Sequence, residues 1–138
     1  GDSAGMSLDL VAFATANGDS SGLDRTLDRA FSEGASPIGI LRAVARHLER
    51  LHLALGMVDN GDTFDQALSK LKPPIIYKFK SEFLKQMRRW QTDRLAMALA
   101  LAIEAEIDCK STGFPAAAGC HRALMRIAQA ARAGNTRT

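Results

Sequence analysis

Apolar residues recur along this chain at steps of three and four, and glycine, asparagine or proline interrupts the pattern at intervals, which predicts helices joined by short breaks. Leu8, Val11, Ala12 and Thr15 follow helical spacing in a first short helix that Ser7 is placed to cap and Asn17-Gly18 to end. Ser21 with Asp24 resembles a capping box with Asp in place of Glu, opening a helix with Leu23, Leu27, Ala30 and Phe31 inward and Gly34 as its stop. Ser36-Pro37 is a stronger start, a hydroxyl cap followed by a proline whose missing N–H costs nothing in the first turn. Leu41, Val44, Leu48, Leu51, Leu55 and Val58 then form one narrow stripe, ended by Asn60-Gly61.

Thr63 and Gln66 have true capping-box spacing, ahead of a short helix carrying Phe64, Ala67, Leu68 and Leu71. Pro73-Pro74 breaks it, and Pro74 is expected in the first turn of the next helix, where Ile76, Phe79, Phe83, Met87 and Trp90 share a face. Thr92 is expected to cap a long helix with Leu95, Leu99, Ile103 and Ile107 laddered inward. Met97 and Leu101 on its other side make its first three turns apolar nearly all round, which predicts a position in the middle of the bundle. Gly113 ends that helix, and Pro115 opens a last one with Cys120, Leu124, Ile127 and Ala131 inward, ahead of a frayed tail at 134–138. There is no alternating strand pattern and no fixed repeat. The expected fold is all-α, a single-domain bundle of six to seven helices over residues 1–138.

Composition agrees. With 46% apolar and 24% charged residues among 138, the chain is ordinary for a globular domain, and its few aromatics favour helix over strand. No apolar run nears the roughly 18 residues of a membrane span, and no signal peptide opens the chain. A start without methionine suggests an excised fragment or a processed product. Cys109 and Cys120 lack the partners of a disulfide framework or zinc site, so both are expected as reduced thiols in a cytoplasmic protein.

Candidate chemistry is sparse. No glycine precedes a lysine, so a phosphate-binding P-loop is excluded, and GxGxxG, GxSxG and HExxH are missing. Glu104, Glu106 and Asp108 are the densest carboxylates, but a di-metal carboxylate bundle needs ExxH pairs that do not occur. Glu106 instead precedes Lys110 by four residues, a stabilising helix pair. His47 and His52 fall on opposite flanks of the long stripe, too far apart in angle to chelate one ion, and no acid is placed by the sequence to orient His121. No catalytic residue, metal site, cofactor or small-molecule substrate is therefore expected.

Charge is concentrated between Lys70 and Arg94, where eight cations accompany two acids, Glu82 and Asp93. Lys78, Lys85, Arg88 and Arg89 project opposite Ile76, Phe83 and Met87 as a basic ridge. It reads as a solvated face, or as a surface for phosphate or an acidic partner, since clustered cations gain from counterion release. Membrane binding fits poorly because the apolar face is needed for the core.

In order along the chain, Ser36-Pro37 through Leu41-Arg42-Ala43-Val44-Ala45-Arg46-His47-Leu48-Glu49-Arg50-Leu51, Lys72-Pro73-Pro74-Ile75-Ile76-Tyr77-Lys78, Gln86-Met87-Arg88-Arg89-Trp90 and Leu95 to Lys110 resemble the C-terminal domain of the delta subunit of the bacterial DNA polymerase III clamp loader, alphaproteobacterial versions above all. The opening Gly1-Asp2-Ser3-Ala4 resembles the family's junction between second and third domains. The resemblance implies the third domain of a three-domain subunit. It would be a non-catalytic collar domain that holds delta among the other clamp-loader subunits, delta-prime and gamma/tau, during DNA replication. It would meet DNA only weakly or indirectly. His47, His52, Glu106 and Lys110 are the expected partner contacts. The alternative is a stand-alone helical nucleic-acid-binding domain using the ridge at 70–94.

Overall fold

A computed structural model describes the backbone of residues 2–134 and the side chains of residues 5–134. Seven α-helices and no strand occur among the described residues: α1 (Asp2–Asn17), α2 (Ser20–Ser32), α3 (Pro37–Asp59), α4 (Phe64–Lys70), α5 (Lys80–Arg89), α6 (Thr92–Cys109) and α7 (Ala116–Ala133). The expected all-α bundle is what forms. The junction read at residues 1–4 and the tail read beyond Gly134 lie outside the described side chains.

Two of the expected caps hold. Ser36 accepts from the Gly39 amide with Pro37 at the start of α3, and Thr63 and Gln66 form a reciprocal capping box on α4. Others are corrected. α1 begins well before Ser7, so Ser7 lies within the helix, buried, and its hydroxyl donates to the Glu33 carboxylate at the end of α2. The cap of α2 is Asp19, whose carboxylate accepts from the Gly22 amide, rather than Ser21. Gly18 makes this turn possible with φ at +72°, a region that side chains with a Cβ enter at a cost of about 1–2 kcal/mol. Pro74 opens no helix: residues 72–76 run as irregular chain, and a 3-10 turn at Tyr77–Phe79 precedes α5. Thr92 is the first helical residue of α6, not its cap.

The core joins all seven helices. In α3 the stripe from Leu41 to Leu55 is buried, with Val58 half-buried at its end. In α5 the buried set is Phe83, Gln86 and Met87, and Trp90 just beyond is fully enclosed, its indole N–H donating to the Ala16 carbonyl at 2.9 Å. In α7, Cys120, Leu124, Ile127 and Ala131 all point inward as expected.

The middle of the bundle is α1. Every residue from Val11 to Ala16 is buried, and α2, α3, α5 and α7 pack around it. α6 packs chiefly on α3 and α7, so those two helices stand between α1 and α6. The expectation that α6 occupies the centre is therefore corrected. Its buried positions are Leu95, Ala98, Ala102 and Ala105, a face of mostly small side chains that lets α3 approach closely.

Candidate functional site

Part of α6 faces solvent, and it carries large apolar side chains. Met97 is 70% exposed, Ile103 49% and Ile107 60%. The expected inward ladder fails for a geometric reason. A step of four residues advances about 40° beyond a full turn, so three such steps carry Ile107 about 120° away from Leu95. Leu95 points into the core, Leu99 is half-buried, and Ile103 and Ile107 emerge outside. Ala96, Ala100, Ile103 and Ile107 then fall within about 60° of one another, with Met97 about 60° beyond Ala100. Asp93 and Glu104, both exposed, lie between that strip and Met97, and exposed Asp108 lies just beyond Met97. An apolar centre with a charged rim is the anatomy of a protein–protein contact surface.

Glu106 and Lys110, expected as partner contacts, pair with each other on the opposite flank of α6. A Glu106 carboxylate oxygen lies 3.1 Å from Lys110 Nζ and 3.1 Å from Arg42 Nε of α3. These two cations hold its carboxyl below the usual range, Lys110 first. Glu106 thereby ties α6 to α3.

His47 is also internal. Its ring lies edge-on to Phe13 and Phe83, and its Nε2 is 2.6 Å from Gln86 Oε1. The amide oxygen can only accept, which places the histidine proton on Nε2. Gln86 in turn donates to Asn17 Oδ1 at 2.7 Å, so one buried polar chain links α3, α5 and the end of α1. Burial pushes the His47 pKa down to about 4, against the Gln86 hydrogen bond, which favours the charged ring. The ring is neutral at pH 7. His52, by contrast, is exposed on α3.

His121 does have an acid beside it, which sequence spacing did not place. Asp24 of α2 stands 2.9 Å from its Nε2 across the α2–α7 contact. Both side chains are about half exposed. Among the described residues no three His, Cys, Asp or Glu side chains gather as metal ligands do. Cys109 and Cys120 are free thiols, and burial pushes Cys120 up to about 12, far from a reactive thiolate.

Of the basic ridge, Lys85, Arg88 and Arg89 project from the outer arc of α5, opposite Phe83. Lys78 lies in the preceding turn with its ammonium 5.4 Å from the Phe79 ring centre, and Arg88 sits 5.2 Å over Phe64. Arg89 is half-buried, so the ridge is narrower than the charge run suggested. No helix of the described residues is long and apolar enough to cross a membrane.

The molecule is thus an all-helical bundle domain with one apolar helix face open to solvent. It is similar to a protein of Rickettsia prowazekii described as a probable DNA polymerase III subunit delta, at 31% identity over 84 residues. Those residues are 61% of this chain but only 26% of the relative, so the chain matches about a quarter of that protein's length. No family model matches the chain, and no solved structure matches it.

Proposed function

We propose that this chain is an assembly domain of a DNA polymerase III delta subunit, the collar-type domain that holds the subunit within a clamp loader during DNA replication. The observation that carries the reading is the outer face of α6, where Met97, Ile103 and Ile107 stand in water on a helix otherwise packed on α3 and α7. A helix of that kind is stable in the monomer yet leaves apolar area for a neighbour to cover, at about 25 cal/mol per Å² removed from water. The likeness to a probable delta subunit supports the choice of complex. In this reading the domain is non-catalytic and cytoplasmic, and its neighbours are the delta-prime and gamma/tau subunits.

Co-purification of the delta subunit with the other clamp-loader subunits tests it. Ile103→Asp with Ile107→Asp is expected to abolish assembly while the helical circular dichroism stays unchanged. Assembly that survives both changes refutes α6 as the interface. The nucleic-acid alternative rests on Lys78, Lys85, Arg88 and Arg89, and a gel shift at two salt concentrations separates it. Submicromolar, steeply salt-dependent duplex binding by the isolated chain favours that alternative.

A further inference from the structure

On the far side of α3 from α6, a cleft of about 560 Å³ opens between α1, α3 and the irregular segment 72–76, a ligand-sized volume. Three cations line it, Arg46 and Arg50 from α3 and Lys72 from the segment, against one carboxylate, Asp9 of α1. Arg50 is directed toward the segment, donating to the Pro73 carbonyl at 2.5 Å. Arg46 and Lys72, both exposed, form no salt bridge or hydrogen bond among the described residues. Two guanidinium groups one helical turn apart repel each other, an arrangement that a bound anion relieves. Below the cations the lining is apolar: Leu8, Ala12, Phe13, Ile75 and Phe79.

We propose that this cleft binds a protein segment that presents carboxylates beside a large apolar side chain. The carboxylates would meet Arg46, Arg50 and Lys72, and the apolar side chain would cover the floor. The mixture of charge and greasy lining selects this occupant. A nucleic-acid backbone would use the cations but leave the partly exposed Leu8, Ile75 and Ile76 uncovered. The floor aromatics offer no base a stacking platform either, because Phe13 and Phe79 stack on each other at 4.5 Å and are only 7% and 8% exposed. The site is separate from the α6 face and does not depend on the clamp-loader reading.

Fluorescence anisotropy on the 138-residue chain tests the proposal. The probes are short labelled peptides with a Leu-Phe pair flanked by Asp, Ser or Lys residues, and an oligo-dT strand. The Asp-flanked peptide is expected to bind about tenfold more tightly than the Ser-flanked one. Arg46→Gln with Lys72→Gln, both at exposed positions, should weaken it about tenfold with helical content unchanged, and Asp9→Asn should tighten it several-fold. Equal binding of the Asp and Ser peptides, no peptide binding, preference for oligo-dT, or indifference to the Arg46/Lys72 change overturns the proposal.

Discussion

Helices α1 and α6 are alike in composition and opposite in position. Both are rich in alanine, and both are apolar around most of their circumference. In α1 the run Val11–Ala16 is buried on every side by four helices, and its one polar member, Thr15, turns its hydroxyl back to the Val11 carbonyl at 2.8 Å. In α6, Ala98, Ala102 and Ala105 face the core beside Leu95, while Met97, Ile103 and Ile107 face water. Helix apolarity all round therefore has two structural outcomes. A helix whose bulk points inward completes the core of its own chain. One whose alanines point inward leaves its bulk for something else.

Substitutions should divide the two helices sharply. Phe13→Ala removes a ring packed against His47 and Phe79, and is expected to destabilise the chain by about 3–5 kcal/mol in chemical denaturation. Met97→Ala or Ile107→Ala should stay within about 0.5 kcal/mol, because the truncated atoms are already in water. A cost above about 2 kcal/mol at Ile107 would mean that the α6 face is covered within the chain.

Acid should distinguish them next. Burial at the junction of α1, α3 and α5 pushes the His47 pKa down to about 4, below the ordinary 6.5 of an unfolded histidine. The unfolded chain thus binds the extra proton first. The stability tied to a neutral ring is complete above about pH 6.5, and roughly 3 kcal/mol is lost as pH falls from there to 4. Denaturation midpoints across that range measure the slope, and His47→Gln, which retains a donor for Gln86, should flatten it. An unchanged slope in the variant would assign the acid sensitivity elsewhere. The smallest effect belongs to α6. Glu106 has its carboxyl pKa lowered by Lys110 and Arg42, so its contribution is present at neutral pH and fades in acid. It sits at the surface, so Glu106→Gln should lower the thermal midpoint only slightly, and high salt should erase the difference.

The same geometry explains what could be read from the sequence. Where apolar positions alternate between steps of three and four, as in α3 and α7, gains of about 40° and losses of about 60° keep the face aligned, and the inward residues were legible. In α6 the ladder of uniform fours drifts, so its periodicity pointed inward while its last two members face out. Caps were legible where side chain and proline coincide, as at Ser36-Pro37. At Asp19 the competing signal from Ser21 obscured the cap. The sites that join distant segments were not legible. His47 was visible only as a polar residue beside a stripe, because Gln86, its partner, lies 39 residues away. Asp24 meets His121 across 97 residues, and the cleft draws cations from α3 and from a proline-rich segment that broke rather than began a helix.

Methyl NMR of the chain, with the other clamp-loader subunits added stepwise, tests most directly whether α6 holds a surface that a neighbour covers. The Met97, Ile103 and Ile107 methyl signals are expected to shift or broaden together, while those of Val11, Leu23 and Leu27 inside the bundle keep their positions. A complex that forms while the three α6 signals stay unmoved would contradict the assignment of that face.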